Sequence, residues 1–264
     1  MAIETFKRYE TKYLLDLADW GKLQSRLLQK MEPDAYNQNG RTYLISNIYY
    51  DTPDFHLIRT SLQKPVYKEK LRLRAYGVPS PEDQVFLEIK KKYQGIVNKR
   101  RSAIVLSDAC QMLASGQLPA VKPYQNRQVL REIAYLLERH PLQPKLYLAY
   151  DRLAFFDREN SALRISFDLN IRSRQTDLHL ESGSYGEPLL APGQGLLEIK
   201  AAGNLPFWLV RLLSDCQLRP VSFSKYGAWY NRQLIQAASR PLAAASVARK
   251  PCAAAVCSMK SSVQ

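Results

Sequence analysis

The sequence predicts an antiparallel α+β domain, eight long β-strands curled into a barrel with helices packed outside. Three observations lead there. Eight segments alternate apolar with polar or charged residues, and five others carry apolar residues at helical spacing. Short polar or Pro/Gly-containing stretches near 34–40, 77–84 and 183–194 separate them, with no internal repeat or long linker.

In chain order, the first strand is expected over 3–14, where RYETKYLL sets Arg8, Glu10 and Lys12 on one face. A helix over 16–31 follows, with Asp16 placed to cap it, and then a strand over 42–50. The strand at 65–76 contains KEKLRLRAY. Lys68, Lys70, Arg72 and Arg74 share one face at roughly 7 Å spacing, while Leu71 and Leu73 share the other. In the strand at 84–92, Glu88, Lys90 and Lys92 alternate with Leu87 and Ile89. The strand at 96–106 adds Lys99 and Arg101. Helices at 107–115 (with Ser107 as the expected cap) and 125–139 come next. The strand at 143–156 carries Tyr150 and Arg152, and the one at 162–172 sets Arg164, Ser166 and Asp168 against Leu163, Ile165 and Phe167. The last strand, 194–201, sets Glu198 and Lys200 against Leu197 and Ile199, ahead of helices at 204–215 and 222–238. From about residue 239 the chain is rich in Ala and Ser, without aromatic or acidic residues. The expected division is a folded domain over 1–238 and a disordered basic tail over 239–264.

The 264 residues carry a net charge of +14. Four cations fall in the tail, at Arg240, Arg249, Lys250 and Lys260, so the basicity belongs mainly to the folded part. It implies an anionic partner. Cys110, Cys216, Cys252 and Cys257 form no CxxC pair, which speaks against zinc or a disulfide scaffold and for a reducing compartment. MAIETFKRYE lacks an apolar signal-peptide core, and no run approaches the roughly 18 apolar residues of a membrane span, so a cytoplasmic location is expected. His56, His140 and His179 are scattered without ligand spacing. GxSxG, GxGxxG and GxxxxGK[ST] are absent, which removes the common nucleophile-elbow, Rossmann and P-loop chemistries.

A charged strand face is ordinarily a solvated one, and for any single strand that explanation suffices. The set differs. Solvated faces mix charges, because like charges opposite each other are destabilising, whereas these faces are biased to Lys and Arg. If helices cover the leucine faces from outside, the cations point into the barrel. Such an interior needs water or an anion to be stable. The few glutamates there suit a hard divalent cation bridging phosphate oxygens. Tyr49, Tyr50, Tyr67 and Tyr76 suggest base stacking as an alternative. With no RNP or helix-turn-helix signature, no specific nucleic acid is expected.

RYETKYLL, IYYDTPDF, YKEKLRLRAYG, FLEIKKKY, NKRR, AYDRLAF, LRISFD, LLEIK and FSKYGAWY, in this order, resemble the VTC (vacuolar transporter chaperone) domain. That is a polyphosphate polymerase branch of the triphosphate tunnel metalloenzymes, and the likeness runs from about residue 6 to 232. The resemblance implies an eight-stranded tunnel in which the terminal phosphate of ATP is added to a polyphosphate chain, with Mn²⁺ or Mg²⁺ held by a glutamate. It implies catalytic roles for Arg72, Arg74, Arg152, Arg164 and Glu198, with Glu198 the metal ligand. It implies substrate binding by Lys12, Lys90, Lys99, Tyr150, Lys200, Ser224 and Lys225. ATP and polyphosphate are the implied partners; a membrane partner is compatible with the chain but not encoded in it. The first strand departs from the ExExK pattern of the superfamily's triphosphatases and cyclases, with Arg8 at the first glutamate position. That departure favours transfer to polyphosphate over hydrolysis. A triphosphatase and a non-catalytic polyphosphate or inositol phosphate sensor are the alternatives.

Overall fold

The computed structural model describes residues 9–37, 40–94 and 96–239. Arg8 and residues 240–264, most of the expected tail, lie outside them. Among the described residues ten strands and six helices follow in the order β1 (Tyr9–Asp16), α1 (Leu17–Leu27), β2 (Met31–Pro33), β3 (Tyr43–Asp51), α2 (His56–Leu62), β4 (Tyr67–Tyr76), β5 (Gln84–Tyr93), β6 (Ile96–Val105), α3 (Leu106–Ser115), α4 (Arg127–Arg139), β7 (Gln143–Asp157), β8 (Arg164–Arg174), β9 (Glu187–Pro188), β10 (Gln194–Ala201), α5 (Phe207–Asp215) and α6 (Lys225–Ala238).

The eight long strands form one antiparallel path, β1-β10-β8-β7-β3-β4-β5-β6, with β2 on β7 and β9 on β8 as short additions. The sheet curls far enough to bring Glu10 of β1 within 4.0 Å of Lys90 of β5, the strand next to the opposite edge. No backbone ladder joins β1 to β6 among the described residues. The free edge of β1 instead accepts a hydrogen bond from the chain after α5, Val221 N–H to Lys12 O at 2.7 Å. An unpaired strand edge is thereby covered.

The leucine faces behave as expected. Leu71, Leu73, Leu87 and Ile89 pack with Ala109, Met112, Leu130 and Ile133 of α3 and α4. Leu197, Ile199, Ile165 and Phe167 pack with Leu23 and Leu27 of α1 and with Leu209 and Leu212 of α5. Both layers lie outside the barrel. Truncating any one of these fully buried leucines to Ala costs about 2–5 kcal/mol. A third apolar cluster sits on the opposite face, where Tyr226, Trp229 and Tyr230 of α6 meet Tyr49, Leu146, Leu148, Tyr150 and Leu196. Tyr49 is paired with Arg72, and Leu196 with Asp168, so α6 lies against the charged face. It stoppers the interior.

Several boundaries differ from the sequence reading. The first helix stops at Leu27 instead of 31, because Met31–Pro33 pair with β7. Pro33 cannot extend a helix and drives the residue before it into extended conformation. Asp16 occupies the cap position of α1 without a side-chain hydrogen bond. Ser107 is not the cap of α3, which begins at Leu106. The carbonyls of Asp83 and Pro81 accept from the N–H groups of Leu106 and Ser107 at 2.9 and 3.0 Å, leaving a side-chain cap little to do. The helix α2 was not foreseen. It has seven residues and draws its capping from Asp51, whose carboxylate accepts from Leu57 N–H (2.8 Å) and Ile58 N–H (3.0 Å).

Candidate functional site: the cationic interior of the barrel

Directly paired residues share a face of the sheet, so the register shows which charges meet. Arg72 lies opposite Glu88, which lies opposite Arg101; Lys70 is opposite Lys90, and Lys90 opposite Lys99. Lys12 is opposite Glu198, Lys200 opposite Arg164, and Arg152 opposite Asp168. With Lys225 entering from α6, these side chains form two knots around buried carboxylates.

The first knot centres on Glu88. Arg72 Nε donates to Glu88 Oε2 at 2.7 Å, Lys99 Nζ lies 2.8 Å from Oε1, and Arg74 Nη1 3.7 Å from Oε1. Arg74 also donates to Asn47 Oδ1 (2.9 Å) and the Tyr150 hydroxyl (3.3 Å), and Arg72 to the Tyr49 hydroxyl (3.1 Å). The second knot centres on Glu198, ringed by Lys225 at 2.9 Å, Lys12 at 3.2 Å, Arg152 at 3.4 Å and Lys200 at 3.6 Å. Arg152 also grips Asp168 with both arms (2.6 and 2.8 Å), and Lys225 Nζ bridges Asp168 Oδ2 at 2.6 Å. Glu10 joins the knots, 3.2 Å from Lys12 and 4.0 Å from Lys90. Arg164 stands apart at the rim, on Asp34 (2.9 Å) and the Tyr43 hydroxyl (3.5 Å). Ser224 caps α6 through Gly227 N–H and accepts from Lys70 Nζ at 3.3 Å.

The charges do not balance. Ten cations (Lys12, Lys70, Arg72, Arg74, Lys90, Lys99, Arg152, Arg164, Lys200 and Lys225) meet five carboxylates: Glu10, Asp34, Glu88, Asp168 and Glu198. Titration reflects the excess. Burial opposes charge on Glu88 and Glu198, yet the surrounding cations hold both carboxyls far below the usual range. Burial also opposes charge on Lys225 and Lys12, but Asp168 and Glu198 outweigh it on Lys225, and Glu198 on Lys12, so both are raised. The cations without enough acid go the other way. Burial, reinforced by Lys90, Lys68 and Lys12, pushes Lys70 down to about 8. Burial, with Arg72 and Arg74 added, takes Lys99 down to about 7 despite Glu88.

Every residue that the resemblance singled out except Arg164 thus lies in or beside the two knots. The sequence reading placed Glu10, Lys70, Glu88 and Asp168 on the right faces and gave the glutamates and the cation row collective tasks, but named none of the four as a site residue. Their signal was the strand alternation itself. Asp34 sits in a loop, where no periodicity could mark it. His56 and His140 are brought together, rings stacked at 5.8 Å, on the surface formed by α2 and the end of α4. Among the described residues no three His, Cys, Asp or Glu side chains are placed to hold a metal. Glu198, the expected ligand, has both oxygens engaged by cations. The protein alone does not fit a resident divalent metal.

Among solved structures the chain is similar to a candidate adenylate cyclase from Bacillus halodurans, with 17% identity, 81% of this chain and 92% of that one covered, and a TM-score of 0.49. Among curated proteins it is similar to the vacuolar transporter chaperone complex subunit 4 of Trypanosoma cruzi, 23% identical over 84% of this chain. It is also similar to that of Trypanosoma brucei brucei, 24% identical over the same share. The chain spans about a third (34%) of the length of these relatives. The family model of the VTC domain matches residues 7–232, from the first strand to the middle of α6, and the chain therefore belongs to the VTC domain family.

Proposed function

We propose that the barrel interior is a phosphoryl-transfer site that takes the triphosphate of ATP and a polyphosphate acceptor, making the protein a polyphosphate polymerase. The observation that carries this reading is the excess of ten cations, eight of them buried or half-buried, over five carboxylates on one face of the barrel. A single sulfate would leave several of those charges unanswered. A chain of phosphates, with a negative charge every few ångströms, is dense enough to answer every one of the cations set roughly 7 Å apart along β4.

The chemistry asks little of the protein beyond position and charge. Arg72, Arg74 and Lys99 would align the phosphates on one side, and Arg152, Lys12, Lys200 and Lys225 on the other. Arg164 would act at the rim and Lys70 and Lys90 between the knots. The terminal oxygen of the polyphosphate chain attacks the γ-phosphorus of ATP in line, the bond from that phosphorus to the β-phosphate oxygen breaks and ADP leaves, while guanidinium and ammonium groups neutralise the equatorial oxygens; no covalent nucleophile is required. The carboxylates hold these cations in productive rotamers until phosphate oxygens replace them. Mg²⁺ or Mn²⁺ would enter this reading as part of the substrate, bound to the triphosphate, since Glu198 itself is engaged by four cations. Similarity to subunit 4 of the vacuolar transporter chaperone complex supports the same substrates and extends the proposal to a membrane-bound partner. No described helix is long and apolar enough to cross a membrane itself.

Incubation with ATP and Mn²⁺ followed by gel resolution of the products tests the reading. Long polyphosphate is the expected product. Free phosphate alone replaces the polymerase with a triphosphatase, and binding without turnover replaces it with a sensor.

A further inference from the structure

The two ends of the cation-lined face are chemically unlike. At the Lys68 end of β4 the next inward-facing neighbour is another lysine, Lys92. At the other end the alternation finishes on Tyr76, and aromatic rings gather there. Tyr36 stacks near-parallel to Tyr76 (11°, centroids 6.0 Å), Tyr43 leans on both at 5.7 and 6.2 Å, and Phe86 meets Tyr76 edge-on at 5.7 Å. The Arg101 guanidinium covers Phe86 at 4.7 Å. Tyr36 and Tyr76 are 69% and 43% exposed, large for rings that touch one another.

The loop bearing Tyr36 is held firmly. Asn37, 2% exposed, donates to the carbonyls of Arg152 (2.9 Å) and Arg41 (3.0 Å) and accepts from Ala154 N–H (2.8 Å). The rings are therefore presented by a pre-set loop fastened to β7. Cations begin directly behind them: Phe86 is paired with Arg74, Tyr43 with Arg152, and Arg164 donates to the Tyr43 hydroxyl.

A uniform polyanion has no use for aromatic rings at one end of its site. A nucleoside triphosphate has a flat π-face at one end and its charge at the other. We propose that Tyr36, Tyr76 and Phe86 form the nucleobase subsite of the donor nucleotide. The base stacks on the exposed ring of Tyr36 or Tyr76, and the triphosphate runs inward past Arg74 toward Lys70 and Lys90. The proposal rests on the polyphosphate-tunnel reading above and gives that tunnel a direction, donor at the tyrosine end and acceptor from the lysine end. Because stacking is tolerant of base identity, ATP and GTP bind comparably.

The test is calorimetric titration of ATP, GTP and tripolyphosphate into the wild-type protein and into Tyr36→Ala, Tyr76→Ala and Tyr76→Trp, with melting temperatures as a check on folding. Loss of one stacking ring weakens ATP and GTP about tenfold, leaves tripolyphosphate within about twofold, and is rescued by Trp at position 76. Equal weakening of ATP and tripolyphosphate, or of neither, overturns the base subsite and leaves the polyphosphate reading standing. A wild-type protein that holds neither anion overturns both.

Discussion

At the scale of single residues, Glu198 combines two properties that usually exclude each other. It is nearly inaccessible, yet four cations touch it. Replacing it with Gln keeps the shape and removes the charge that holds Lys12, Lys200, Arg152 and Lys225 together. Breaking a buried ion pair on one side costs roughly 3–5 kcal/mol. The expected outcome is a clear drop in melting temperature of the empty protein, largely restored by tripolyphosphate, with turnover reduced at least about a hundredfold. An unchanged melting temperature without ligand would remove Glu198 from its structural post, and unchanged turnover would remove it from the chemistry. The lysines give a pH signature. Lys99 and Lys70, depressed to about 7 and about 8, are half or fully discharged in the empty barrel at mildly alkaline pH. A polyanion restores their protons, so binding takes up protons and affinity falls as pH rises from about 7 to 9. In the unfolded chain the same lysines stay protonated to about pH 10. Their desolvation penalty therefore lessens with rising pH, and stability of the empty protein increases over that window. Titration in buffers of different ionisation enthalpy reads the uptake directly; a proton count of zero contradicts it.

At the scale of elements, the capping of α2 shows what a sequence conceals. Asp51 ends β3, yet its carboxylate caps a helix through N–H groups six and seven residues on and also accepts from the Tyr226 hydroxyl at 2.9 Å. One buried side chain ties a strand, α2 and α6. Asp51→Ala would strand two helix N–H groups and a tyrosine hydroxyl, at a cost of at least about 3 kcal/mol. Urea unfolding would show it, and a loss under about 1 kcal/mol would mean that water replaces the carboxylate. Nothing in DTPDFHLIR marks this role, because a seven-residue helix offers too few turns for apolar periodicity. The strands were legible for the opposite reason. In β4, ten residues alternate without a break, and both faces have strong, different demands. The end of the first helix was misread because Leu27, Leu28 and Met31 keep helical spacing, while Pro33 and pairing with β7 decide the outcome.

At the scale of the whole molecule, the excess of cations makes ligand and stability two views of one balance. A ligand binding only the folded state adds about 2.7 kcal/mol at a hundred times its Kd. For a domain of this size that raises Tm by roughly 5–10 °C. Tripolyphosphate should produce this rise and sulfate at matched ionic strength should not. Arg72→Ala and Arg74→Ala should shrink the rise. If both variants respond to tripolyphosphate like the wild type, the row along β4 is structural and the phosphate reading fails. The cation rows were visible in the sequence because period-two spacing survives any loop. Their closure into one interior was not, since it depends on β1 approaching β5 across about 80 residues of chain. Which acid serves which base was equally hidden, being set by register.

The place of α6 has a consequence for how the protein is made. Its three rings stopper the interior and its Lys225 bridges Asp168 and Glu198, but it follows every described strand. Roughly 40 residues separate the end of β10 from the end of α6, a few seconds of synthesis at about 5–20 residues per second. For that interval the nascent barrel presents Leu146, Leu148 and Leu196 unshielded, beside two acids still missing an ammonium partner. A polyanion that met the chain in that interval would find the cationic lining open, with α6 not yet over it.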